Sequence, residues 1–119
     1  MCKGKVLLLL WWMKNTLKKM MNSELLKRIN KLPKGNTLCH GDFHPYNIIV
    51  TLENQPSVID FANICRGPKE YDIARTYVLL KEAVPGSPVA EIYLDKMQIQ
   101  YSDLQEFIEV IKGISEYGI

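Results

Sequence analysis

Residues 37–61 read Thr37-Leu38-Cys39-His40-Gly41-Asp42-Phe43-His44-Pro45-Tyr46-Asn47-Ile48-Ile49-Val50-Thr51-Leu52-Glu53-Asn54-Gln55-Pro56-Ser57-Val58-Ile59-Asp60-Phe61. The β-branched run Ile48 to Thr51 has the composition of a strand, and so has Ser57 to Phe61. The polar Glu53-Asn54-Gln55-Pro56 between them is a turn, so the two runs form a hairpin. Ahead of the hairpin lies a loop, His40 to Asn47, dense in groups that carry chemistry.

Either side of this block the pattern becomes helical. Leu17, Met21, Leu25, Ile29 and Leu32 recur at spacings of four and three, with lysines between them. Asn22 and Ser23 are good N-caps in mid-pattern, so the helix is either continuous or broken there, and Pro33 ends it at about Leu32. Gly67-Pro68 opens the next helix, with Ile73, Ala74, Tyr77, Val78 and Leu80 along one side, and Pro85-Gly86-Ser87-Pro88 closes it. Ser87 and Pro88 then cap a helix from about Val89 to Gln98. Seven apolar residues from Ala90 to Ile111 would also fit three coiled-coil heptads, but Ser102-Asp103-Leu104-Gln105 is a capping-box pattern that starts a separate last helix running to about Lys112. The fold class is α+β, a small hairpin embedded among helices. The 119 residues form a single domain: a basic helical segment 1–35, the loop and hairpin 36–62, and C-terminal helices 63–119.

The composition, 47% apolar and 24% charged, is that of an ordinary globular domain. The longest unbroken apolar run, Val6 to Met13, falls far short of the roughly 20 residues needed to span a membrane. Lys3, Lys5 and that run imitate a signal peptide, but Lys14-Asn15-Thr16 stands where small residues of a cleavage site belong. The block reads instead as a buried helix, with Trp11 and Trp12 as anchors. The net charge of +2 hides two unequal ends, because residues 1–35 carry nine Lys/Arg and one Glu while the remainder carries six Lys/Arg and twelve Asp/Glu. The basic end is read as docking on the acidic end or as solvated, not as a nucleic-acid or membrane site. Cys2, Cys39 and Cys65, an odd count with no C-x-x-C pair, suit a reducing cytoplasm.

The chemistry concentrates between Leu38 and Ala74. His40-x-Asp42-x4-Asn47 sets a carboxylate and a carboxamide on a loop just before a strand, and Asp60 lies near the end of the partner strand. A hairpin returns the chain to its starting point. Asp60 therefore comes back beside Asn47, giving two hard oxygen ligands with Asp42 close by, a set suited to Mg²⁺ on a nucleotide. The set resembles that of the protein kinases, in which a loop Asp takes the substrate proton while an Asn and a second Asp hold magnesium. The spelling Cys39-His40-Gly41-Asp42-Phe43-His44-Pro45-Tyr46-Asn47-Ile48-Ile49, then Val58-Ile59-Asp60-Phe61, then Gly67-Pro68-x3-Asp72-Ile73-Ala74, resembles the aminoglycoside phosphotransferase and choline kinase-like family. The likeness covers about a third of the chain, with two departures: Tyr46 stands where Gly is usual, and Phe61 where Trp is common.

The resemblance implies a mostly helical kinase-like C-terminal lobe, with ATP as co-substrate, Mg²⁺ as cofactor and a small-molecule alcohol as acceptor. It implies Asp42 as catalytic base and Asn47 and Asp60 as metal ligands. His40, His44 and Asp72 would support the loop; for Asp72 the alternative is a helix-start carboxylate, and for His44 a loop residue satisfied by backbone. A zinc site from Cys39, His40, His44 and Cys65 fits no standard spacing, because adjacent Cys39 and His40 point to opposite faces of a strand.

Such an enzyme also needs an N-terminal lobe with a phosphate-covering loop, and none is recognisable: no G-x-G occurs and fewer than 40 residues precede His40. The chain is thus expected to be a lobe fragment, inactive alone and self-associating through the face a partner lobe would cover, with Trp11 and Trp12 near the contact. The competing expectation is a catalytically silent interaction module on the same fold.

Overall fold

A computed structural model describes residues 23–115 of the chain. The elements in order are α1 (Ser23–Lys31), β1 (Thr37–Cys39), a 3-10 turn (Pro45–Asn47), β2 (Ile48–Val50), β3 (Pro56–Val58), β4 (Cys65–Gly67), α2 (Lys69–Ala83), α3 (Val89–Lys96) and α4 (Tyr101–Ser115). This is an α+β fold, helices carrying two small antiparallel sheets. Leu17, Met21, the Val6 to Met13 block and both tryptophans lie outside the described residues.

The core is helical. The face of α2 expected to be apolar is the face that is buried: Ile73, Ala74, Tyr77, Val78 and Leu80 pack with Ala90 and Leu94 of α3 and with Leu104, Phe107, Ile108 and Ile111 of α4. Leu25 and Ile29 of α1 add a second cluster against Val110. α1 is also fastened by charge, since Arg28 reaches both Glu106 and Glu109 on α4. Among the described residues no helix is long and apolar enough to cross a membrane.

The stretch after α3 is broken, as the capping pattern requires, with Gln98 at φ 55° between the two helices. The cap itself is displaced by two residues from the Ser102/Gln105 reading. α4 begins at Tyr101, and the Asp103 carboxylate accepts the Gln100 N–H (3.2 Å). A carboxylate is the stronger acceptor for an orphan N–H, and at this position it also favours the positive end of the helix dipole. Ser87 acts as foreseen, its hydroxyl accepting the Val89 N–H at the entry to α3 (3.3 Å).

The hairpin is where expected but shorter. β2 pairs with β3 in the register Ile48↔Val58, Ile49↔Ser57 and Val50↔Pro56, and Asn54, at φ 62°, makes the turn. The second strand ends before Asp60 because that residue takes a left-handed backbone (φ 59°), which leaves the pleat. A second sheet has no counterpart in the expected elements: β1 pairs with β4 as Thr37↔Gly67, Leu38↔Arg66 and Cys39↔Cys65. Gly67 is thus the last residue of a strand, and the helix starts after Pro68.

Candidate active site

The loop His40 to Asn47 leaves the buried end of β1 and re-enters regular structure through the 3-10 turn. Asp72, on the first turn of α2, holds the start of this loop: its two carboxylate oxygens accept the backbone N–H groups of His40 (3.0 Å) and Gly41 (2.9 Å). Both bonds are charge-assisted, the stronger class. Gly41 is at φ +85°, a conformation open to glycine, and a Cβ there would stand 2.7 Å from the Asn63 carbonyl oxygen. We expect Gly41→Ala to cost about 2 kcal/mol, from left-handed strain together with that clash. Thermal denaturation checks this, and an unshifted melting temperature would mean that the loop relaxes freely.

Within the loop His40 is a fixed strut. Its Nδ1 accepts the Asp42 N–H (3.1 Å), so the ring proton sits on Nε2, which donates to the Ile59 carbonyl (2.9 Å). Both ring nitrogens are occupied, and the ring lies against Phe61, with centroids 5.0 Å apart. His40 thereby ties the loop to the far strand of the hairpin.

Asp42 and Asn47 meet. The buried Asn47 side chain donates through Nδ2 to the Asp42 carbonyl (2.8 Å) and carboxylate Oδ2 (3.2 Å). His44 joins them, its Nε2 lying 3.4 Å from Asp42 Oδ1 and 3.3 Å from Asn47 Nδ2, with its Nδ1 buried and without a hydrogen-bond partner among the described residues. Asn47 is also bound by its backbone: its N–H donates to the His44 carbonyl (2.9 Å), and its carbonyl accepts the Ile59 N–H (2.9 Å). The hairpin therefore brings the residue before Asp60 back onto Asn47, and leaves the Asp60 side chain exposed at the same end. Tyr46 lies in the 3-10 turn with a negative φ and is 87% exposed, so the position where the family usually has Gly needs no glycine here.

One contact was not anticipated from sequence. The Thr76 hydroxyl, 2% exposed on α2, donates to the Phe43 carbonyl (2.7 Å). A threonine inside an apolar helical pattern has no signature that distinguishes it from core.

Cys39, next to His40, is not a reactive thiol. Burial pushes its pKa up to about 11, and the nearby Asp72 charge adds to the shift. At pH 8 about one in a thousand such thiols is ionised. We expect iodoacetamide to spare Cys39 in the folded protein, and complete labelling within minutes by mass spectrometry would contradict it. The sign for stability follows from the raised value. The buried neutral thiol contributes fully below pH about 9, and that contribution is lost as pH rises towards about 11.

A family model described as a phosphotransferase enzyme family matches residues 9–105 of the chain. Comparison with curated proteins and with solved structures gives no significant match.

Proposed function

Since the chain belongs to the phosphotransferase enzyme family, we propose that it carries the base and metal-holding half of a small-molecule kinase, one that moves the ATP γ-phosphate to an alcohol hydroxyl. The observation that supports this reading is the Asn47 carboxamide. Its nitrogen is committed to Asp42 and His44, which leaves its oxygen as the donor that can face a metal. Asp42 then takes the proton from the acceptor hydroxyl, and the Asn47 bond to Oδ2 fixes the carboxylate's orientation. Asp60 and Asn47 are the residues that would hold Mg²⁺, which supplies charge neutralisation at the transferring phosphoryl group.

The donor chemistry fits that ion. Among the described residues no three His, Cys, Asp or Glu gather into a metal cage. Mg²⁺ needs none, since it commonly takes one or two protein oxygens and completes its shell with water and phosphate. Loop-supporting roles fall to His40, which has no free ring nitrogen, to His44 and to Asp72.

The test is phosphoryl transfer from ATP to a panel of small-molecule alcohols, with the chain joined to a phosphate-covering lobe. Transfer to any of them supports the reading, and none at all removes it. The described residues supply the carboxylate end of a nucleotide site and no phosphate-covering loop. The Mg-ATP affinity of the chain alone should then lie in the millimolar range, on the order of 4 kcal/mol. Micromolar binding by calorimetry would show a more complete site.

A second reading, an interaction module without turnover, is favoured by one feature. Ile49, Val50, Leu52 and Phe61 leave the hairpin with exposed apolar side chains. Self-association, with Trp11 and Trp12 at or near the contact, is expected on the first reading too, through the face a partner lobe would cover.

A further inference from the structure

Asp72 and Thr76 are four residues apart on α2 and so share one face of the helix. They grip the catalytic loop on both sides of Asp42. Asp72 accepts the N–H groups of His40 and Gly41 on one side, and Thr76 donates its hydroxyl proton to the Phe43 carbonyl on the other. A threonine within a helix ordinarily turns its hydroxyl back to the carbonyl four residues earlier. Thr76, itself buried, spends its proton on the loop instead, at 2.7 Å.

We propose that Thr76 is a positioning residue for phosphotransfer: by pinning the Phe43 carbonyl to α2 it completes a two-point clasp that sets the carboxylate of Asp42 against its acceptor. Without it α2 holds the loop only upstream of Asp42, and the downstream side depends on Asn47 and its backbone bond to Ile59. The peptide between Phe43 and His44 can then rotate, and Asp42, His44 and Asn47 lose their common geometry, which depends on the His44 carbonyl accepting the Asn47 N–H. This rests on the kinase reading for its catalytic consequence, but not for the clasp.

The experiment compares Thr76→Ser, which keeps the hydroxyl, with Thr76→Ala and the nearly isosteric Thr76→Val, which lack it. Amide hydrogen exchange on the full chain reads the clasp. The Asn47 and Asp42 amides should exchange at least about tenfold faster in the Ala and Val variants, with Ser close to wild type and the α2 and α4 core amides unchanged relative to one another. Steady-state kinetics of the lobe-joined enzyme reads the catalytic part. There kcat should fall by at least about tenfold in the Ala and Val variants, KM for ATP should stay level, and Ser should restore the rate. If Val does not fold, the Ser and Ala pair still differs only by the hydroxyl. Loop exchange that is the same in Ser and Ala overturns the clasp. A faster loop with unchanged kcat in an active enzyme overturns its role in positioning. A faster loop in an enzyme that transfers nothing counts against the kinase reading and against this role, while leaving the clasp itself in place.

Discussion

Asp42→Asn should remove a factor of about 10² to 10⁴ from the phosphotransfer rate while leaving the fold intact, the range that a positioned general base contributes. The two halves of this expectation have separate causes. The backbone of Asp42 makes the structural contacts, its N–H to His40 Nδ1 and its carbonyl to Asn47 Nδ2, and neither involves the carboxylate. An Asn can still accept from Asn47 through its carboxamide oxygen, yet it has no basic oxygen to take a proton from the acceptor hydroxyl. Measured in the lobe-joined enzyme at saturating ATP, the loss should appear in kcat. A variant that turns over near the wild-type rate would take Asp42 out of the mechanism.

Removing the Asp72 charge should have the largest effect on stability. Asp72→Asn leaves one oxygen to serve two N–H groups and turns an NH₂ against the other, so one charge-assisted bond is lost and the second weakened. The cost should be about 3 kcal/mol, read from urea denaturation with an unchanged slope. Because the Asp72 carboxylate also helps to hold the Cys39 pKa up, the same substitution should speed alkylation of Cys39. A midpoint within experimental error of wild type would mean that water replaces the carboxylate at the His40 and Gly41 amides.

Much of this arrangement is legible in the sequence, for identifiable reasons. The hairpin was legible because its β-branched runs are local and a polar turn separates them. The buried face of α2 was legible because a period near 3.6 is a local property too. Strand β4 was not legible: Cys65-Arg66-Gly67 is three residues long, ends in glycine before a proline, and owes its extended shape to a partner 26 positions earlier in sequence, Cys39 facing Cys65. Asp72 could be assigned to loop support by family likeness, whereas Thr76 could not, because what separates it from a core threonine is which carbonyl lies above it. Asp60, expected near the end of the second strand, lies beyond its last residue Val58 with a left-handed backbone, a conformation that Asn, Asp and glycine make cheap without announcing it in sequence.

The pairing of Cys39 with Cys65 closes the chain on itself around the whole chemical segment. Everything from His40 to Ile64 is an excursion whose two ends are sewn together at the edge of the helical core. Closing a span of about 25 residues costs on the order of 3 kcal/mol of chain entropy, and once that knot is tied the residues beyond it fold as a short local problem. The excursion can therefore lengthen at its tip, around Leu52 to Asn54, with little consequence for the helices, since a longer span raises the closure cost only logarithmically. What the hairpin touches can therefore be remodelled without reopening the question of whether the helical core folds.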